Sequence, residues 1–253
     1  MSINLEVSNY IAIVRLDKPP VNALDRATRR RLIEIFDEVS ERADVRVAIL
    51  TGTGKFFCSG ADLKDRPNAE KPGDFLDHNR WTRETGNAIR ECAKPVIAAV
   101  NGPALGAGFG LMASCDIFLA SEDATFAMPE INVGLAGGVS MLRTMVGRSF
   151  TRRMFFTGMK VPAAELYRRG VIDEVVPAEQ LMPLALEIAQ EIASKAPLAI
   201  AYAKQAANMM DLMPQRDGYR FEQNFTMALA RTEDAQEARQ AFLEKRKPVY
   251  KGR

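Results

Sequence analysis

The sequence predicts an α/β core that ends in a helical region. Three observations carry this reading. Short apolar runs such as Val45–Leu50 and Pro95–Val100 are separated by stretches with apolar residues at helical spacing. Strands and helices alternate along the first two thirds of the chain, the pattern of an α/β layer architecture. From Ala178 onward the spacing is helical almost to the end, punctuated by Pro197, Pro214 and Pro248. The 253 residues are 47% hydrophobic, enough for a full core. No interdomain linker, internal repeat or low-complexity tract interrupts the chain, so residues 1–195 read as the core and residues 196–253 as a helical appendage packed on it.

In order, residues 4–17 alternate apolar and polar, as in one or two strands joined near Ser8-Asn9, and Lys18-Pro19-Pro20 ends them. Asp25 is placed to cap a helix on which Leu32, Ile35, Phe36 and Val39 recur. Val45–Leu50 is a strand and Thr51-Gly52-Thr53-Gly54 a turn. Asp65–Trp81 is polar, contains Pro67, Pro72 and Gly73, and reads as a loop or lid before a helix that ends ahead of Pro95. Pro95–Val100 is a buried strand, followed by a Gly-rich turn, a small-residue helix and the strand Asp116–Ala120. Further on, Pro162 is expected in the first turn of a helix and Val171–Val176 as one short strand.

Charge and composition exclude several functions. A net charge of +2 gives no electrostatic footprint for nucleic acid or a membrane surface. The runs Arg29-Arg30-Arg31, Arg152-Arg153 and Lys245-Arg246-Lys247 read as solvated helix faces or a frayed terminus, with a phosphate-rich small ligand as the alternative. No basic-then-apolar leader opens the sequence and no apolar stretch is long enough to span a bilayer. Three irregularly spaced cysteines, Cys58, Cys92 and Cys115, argue against a disulfide framework and fit a reducing cytoplasm. His78 is the one histidine, lies in a polar stretch and reads as a surface residue. With so little histidine, zinc sites and Ser-His-Asp triads are disfavoured, and no metal site is expected. Chemistry then falls to carboxylates and backbone amides.

Two segments have backbone signatures suited to such chemistry. One is Phe56-Phe57-Cys58-Ser59-Gly60-Ala61-Asp62-Leu63; the other is Asn101 to Gly110, with Gly106-Ala107-Gly108 at its centre. Small residues let a ligand approach the main chain, and the first turn of a helix presents free N–H groups, which suit an oxygen that becomes negative during reaction. Tight helix–strand packing selects the same glycines and stays open as a reading. Gly52-Thr53-Gly54-Lys55 lacks the full spacing of a phosphate loop, and Gly106-x-Gly108-x-Gly110 is one residue short of a dinucleotide fingerprint.

Taken in order, Val21-Asn22-Ala23-Leu24, Phe57 to Leu63, Lys94 to Gly102, Ala104 to Gly108, Cys115-Asp116 and Phe126 to Ile131 resemble the crotonase superfamily of enoyl-CoA hydratases and isomerases. The ending Ala241 to Pro248 is similar to that family's ending. The resemblance implies a spiral of ββα units carrying a helical C-terminal trimerisation region, in a homotrimer or a dimer of trimers. It implies an acyl-CoA substrate, with coenzyme A entering as part of the thioester and no permanently bound cofactor. The family's oxyanion-hole amides fall on Ala61 and Ala107, and the resemblance implies that the neighbouring Gly60, Asp62, Leu63, Gly106 and Gly110 bind the substrate. Its CoA-binding segment matches Lys18 to Ala23, and the loop around Lys64 matches the part that holds the adenine and pantetheine ends. The basic tail resembles one that reaches CoA phosphates, with a solvated tail as the alternative.

The family's hydratases hold a water between two glutamates. The second is matched by Glu130; the first falls on Gly110, which has no side chain. The segment after Glu130 is shortened to Gly134-Leu135-Ala136-Gly137-Gly138, which removes the place of a further acidic residue in some isomerases and hydrolases. Glu130 is therefore the expected acid/base, with a structural brace of the adjacent turn as its other reading. The resemblance implies hydration or double-bond isomerisation of an enoyl-CoA, with decarboxylation of an acyl-CoA or acyl-CoA binding without turnover as alternatives.

Overall fold

A computed structural model of the chain describes residues 2–253. Six strands form the main sheet: β1 (Ile3–Ser8), β2 (Ile11–Leu16), β3 (Val47–Gly52), β4 (Val96–Val100), β6 (Ile117–Ser121) and β9 (Glu174–Val176), adjacent in that order. Only β1 and β2 pair antiparallel; the later pairs are parallel, as their crossovers require. A smaller sheet joins β5 (Ala104–Leu105), β7 (Thr125–Ala127) and β8 (Val161–Pro162).

Every residue of β3 and β4 is buried, because both faces of the parallel sheet are covered. Ala48, Leu50, Val96, Ala98 and Val100 point to one side, into the core shared with α1 (Arg26–Glu41) and α2 (Asp74–Arg90). Val47, Ile49, Ile97 and Ala99 point to the other. That second face is covered by α7 (Ala178–Ala193), whose Leu181, Ala185, Ala189 and Ala193 recur every four residues and present small side chains to the sheet. The remaining helices of the first part are α3 (Ala107–Ala113), α4 (Val139–Met145), α5 (Arg148–Thr157) and α6 (Ala163–Arg168). The chain then continues through α8 (Pro197–Met210), α9 (Gln215–Leu229) and α10 (Glu233–Leu243). Buried Lys204 ties α8 to the chain at the starts of β4 and β6: its ammonium lies 2.9 Å from Asp116 and donates to the carbonyls of Ile89 and Lys94.

Three expectations are corrected. Asp65–Trp81 is not all loop, because α2 begins at Asp74, directly after Gly73 at φ 82°. The reason is an ion pair invisible in local sequence: the Arg26 guanidinium holds the buried Asp74 carboxylate at 2.8 and 2.9 Å, and Asn68 N–H donates to the same carboxylate at 2.7 Å. Pro162 belongs to β8 and precedes α6 rather than lying inside it. The strand expected over Val171–Val176 is confined to β9.

Asp25 caps α1, accepting from Thr28 N–H at 2.7 Å, and its other oxygen meets the Lys18 ammonium at 2.6 Å. Partial burial opposes its ionisation, but Lys18 and Thr28 outweigh it and hold the carboxyl at about 2, below the ordinary 3.8. A depressed carboxylate stabilises the fold above its unfolded pKa and loses that contribution as pH falls through its folded one. We expect Asp25→Ala to cost about 1–2 kcal/mol at neutral pH, from cap and ion pair together. The deficit should shrink as pH falls from about 4 toward about 2, read by urea unfolding at each pH.

Candidate active site

The two Gly-rich segments are joined main chain to main chain. Cys58 N–H donates to Pro103 O at 3.1 Å, and Leu105 N–H returns to Cys58 O at 2.9 Å. Leu24 N–H donates to Gly60 O and Asp62 N–H to Leu24 O, so the Val21–Leu24 segment is laced to the same place. Gly106 N–H donates to Ala127 O at 2.8 Å, which brings in the chain just before Glu130. The glycines exist for this close approach. A Cβ at Gly108 would fall 2.2 Å from Cys58 O, and one at Gly60 would fall 2.7 Å from Leu105 O and 3.4 Å from Ala107 N.

The lacing leaves Ala61 N–H and Ala107 N–H without a hydrogen-bond acceptor among the described residues. Ala61 lies between the two bonded positions of its bridge to Leu24, and Ala107 is the first residue of α3, where N–H groups have no partner inside the helix. Both residues border one cavity of about 650 Å³. Asp62, Leu63, Gly106, Gly110 and Glu130 border it too; Gly60, Lys18, Ala23 and Lys64 lie outside its wall.

Glu130 sits on a 3-10 turn, Pro129–Val133, that begins with a proline and ends at Gly134 in the left-handed region. Its Oε1 lies against Gly106, where an added Cβ would come within 2.7 Å of it. Its Oε2 is buried with no hydrogen-bond partner among the described residues. Burial pushes its pKa above the ordinary 4.5, opposed by a hydrogen bond from its own main chain. A desolvated, unpaired carboxylate in a cavity is suited to proton transfer rather than to bracing a turn. The other cavity carboxylates are engaged. Asp62 faces Lys18 at 3.4 Å and accepts from Lys64 N–H, while Asp65 accepts from Arg26 N–H.

Gly110, which borders the same cavity, is buried and a Cβ there would meet Met141 Sδ at 3.0 Å. The position that lacks a carboxylate is thus closed by the thioether of α4. Leu111, Met128 and Leu135 make much of the remaining wall apolar.

Two residues of this cavity run against expectation. His78 is not a surface residue: it is half-buried on α2, borders the cavity, and its Nδ1 is buried without a partner. Burial first, then the positive Arg29 and Arg26, lower its pKa, so the imidazole is neutral at physiological pH. Arg29 is not on a solvated face either; only 3% of it is exposed, and it also borders the cavity. Its neighbours in the run do face outward, Arg30 over the Trp81 ring and Arg31 toward Glu34. The signal for Arg29 was present in the spacing, since residues 29, 32 and 36 lie on one helical stripe. In the basic tail, Arg246 pairs with Glu237 and Glu244, and Lys251 and Arg253 with Glu233. All three cysteines are buried and free, and no group of histidine, cysteine and carboxylate side chains among the described residues could hold a metal ion. No helix among the described residues is long and apolar enough to cross a membrane.

Residues 6–253 match the family model described as enoyl-CoA hydratase/isomerase. The chain belongs to that family. Within it, a Mycobacterium tuberculosis relative, (7aS)-7a-methyl-1,5-dioxo-2,3,5,6,7,7a-hexahydro-1H-indene-carboxyl-CoA hydrolase, is 39% identical over 93% of this chain and 95% of its own. Carnitinyl-CoA dehydratase of Salmonella enteritidis is 38% identical over 100% of this chain and 99% of its own. The crystal structure of an enoyl-CoA hydratase from Bacillus anthracis superimposes with a TM-score of 0.93 at 34% identity, covering 100% of both chains. The crotonase-like fold expected from the sequence is therefore that of this chain. The names of the relatives span a hydrolase, a dehydratase and a hydratase, so family membership leaves the reaction open.

Proposed function

We propose that this protein is an acyl-CoA-processing enzyme that forms a thioester enolate and moves one proton, which makes it a double-bond isomerase of enoyl-CoA. The observation that carries the reading is the pairing of two unpartnered N–H groups, Ala61 and Ala107, with one desolvated carboxylate, Glu130, around one cavity. Glu130 takes a proton from one carbon of the acyl chain, and the electron pair passes through the carbon framework onto the thioester oxygen. The two N–H groups hold that oxygen as it gains charge, an arrangement in which each donor contributes on the order of 3–4 kcal/mol. The proton then returns two carbons along, and the double bond shifts.

Hydration in this family's manner would need a second carboxylate on the water. Gly110 supplies none, and Met141 occupies its surroundings. Coenzyme A enters as part of the substrate, and no resident cofactor is required. Leu212, Tyr219, Met227, Phe242 and Leu243 stay exposed in the C-terminal region, apolar side chains that the homotrimer implied by the resemblance would cover.

The test is incubation with β,γ- and α,β-unsaturated CoA thioesters in deuterated water. Expected are interconversion of the two isomers and deuterium at the α carbon, without net addition of water. Hydroxyacyl-CoA as the main product would overturn the isomerase assignment, and absence of any exchange would overturn the enolate itself.

A further inference from the structure

Arg29 is a charge without a partner. Its guanidinium is buried on α1, borders the cavity that holds Glu130, and makes no ion pair or hydrogen bond among the described residues. The carboxylates nearby are taken by other cations: Asp25 by Lys18 at 2.6 Å, Asp74 by Arg26 at 2.8 Å and Asp65 by Arg26 at 3.5 Å. Cys58, the other acidic group near it, is fully buried and its thiol is pushed up to about 12, so it stays uncharged. Glu130 forms no ion pair among the described residues, and burial rather than any cation governs its protonation. Beside Arg29 stands His78, neutral, with a buried Nδ1 that has no partner. Arg66 and Arg83 also border the cavity, but Arg29 is the one of its arginines that is buried, and neither it nor His78 Nδ1 is satisfied by the described residues.

An arginine remains charged at any physiological pH, and a guanidinium held away from bulk water without a counter-ion favours an anion that meets it. The guanidinium fork matches a carboxylate with two parallel hydrogen bonds, and a neutral imidazole offers one N–H donor more. We propose that the acyl group held in this cavity carries its own carboxylate, bound by Arg29 with His78 beside it, so that the substrates are monothioesters of dicarboxylic acids. The proposal rests on the CoA-thioester reading above and adds the substrate class. The apolar wall of Leu111, Met128 and Met141 takes the methylenes between the thioester and that carboxylate.

The experiment compares binding of saturated thioesters in pairs matched for chain length: butyryl- with succinyl-CoA, pentanoyl- with glutaryl-CoA, and hexanoyl- with adipoyl-CoA. Dissociation constants are measured by titration calorimetry. At least one carboxylated member should bind the wild-type protein about tenfold or more tighter than its neutral counterpart, as a charge-assisted bidentate contact does. In Arg29→Met that advantage should vanish while the neutral thioesters keep their affinity within about threefold. Arg29→Lys should keep a reduced preference. Equal affinities within every pair in the wild-type protein would overturn the proposal, and this arm needs no variant to fold. So would a preference that survives Arg29→Met, or an equal loss for neutral and carboxylated thioesters, which would place Arg29 on the CoA moiety. If neutral thioesters bind and carboxylated ones gain nothing, this proposal fails alone. If no CoA thioester binds, the reading beneath it fails as well.

Discussion

Replacing Glu130 by glutamine should lower kcat by about 10²–10⁴-fold while leaving the affinity for a CoA thioester within a few-fold. The amide fills the same space against Gly106 but cannot take a proton, and the two free N–H groups of Ala61 and Ala107 are untouched. The wild-type pH profile should lose activity as pH falls through a pKa above the ordinary 4.5, because burial raises it and the base is then protonated. That limb should be absent from whatever activity Glu130→Gln retains. Stability should move the other way. A carboxylate whose folded pKa is raised favours the fold while protonated and loses that contribution as pH rises through the folded pKa. Glu130→Gln should therefore melt higher than the wild type at neutral pH, and the difference should close below about 4.5. Calorimetry at several pH values reads this directly. A variant that binds thioesters, loses exchange and gains stability is one whose carboxylate served chemistry; equal loss of stability would mark it as a brace.

Gly108→Ala should destabilise the protein by about 1–3 kcal/mol, the reverse of what glycine-to-alanine does in an exposed helix. Alanine ordinarily gains about 1 kcal/mol there. At this position, however, the new methyl would stand 2.2 Å from Cys58 O and 2.8 Å from Cys58 Cβ, and the nearest of these is main chain, which cannot swing aside. Either α3 or the Cys58–Ala61 segment must shift, and the shift separates the two N–H groups that border the cavity. The expected result is a melting temperature lower by several degrees, about 2–4 °C per kcal/mol at this size, together with slowed α-proton exchange. Gly137→Ala is the control. That glycine also borders the cavity, yet a Cβ there meets nothing within 4 Å, so its stability should stay within about 0.5 kcal/mol of wild type.

Much of this was readable without coordinates because the relevant chemistry is local. Asp25 followed by an apolar stripe announces α1, and continuous Val-Ile-Leu-Ala runs announce the doubly covered β3 and β4. The Gly-rich segments show where backbone approaches backbone, and the resemblance marks position 110, a glycine here, as the place of a carboxylate in the family's hydratases. Asp65–Trp81 misled because glycine and prolines signal a loop, whereas Asp74 starts α2 through an ion pair with Arg26, a residue forty-eight positions away.

The sequence by itself determined the fold class, the family and the identity of Glu130 as the one carboxylate at its motif. Each depends on the order and spacing of residues along the chain. Only the tertiary structure decided what surrounds them. It showed that Glu130 is desolvated and unpaired, and that Met141 closes the space beside Gly110. It also turned Arg29 and His78 from presumed surface residues into cavity wall. Burial and pairing are properties of neighbours brought together from distant segments. A guanidinium has the same letter in solvent as in a cavity, and only the packing of α1 against α2, with Asp25, Asp65 and Asp74 each held by another cation, leaves this one without a partner among the described residues.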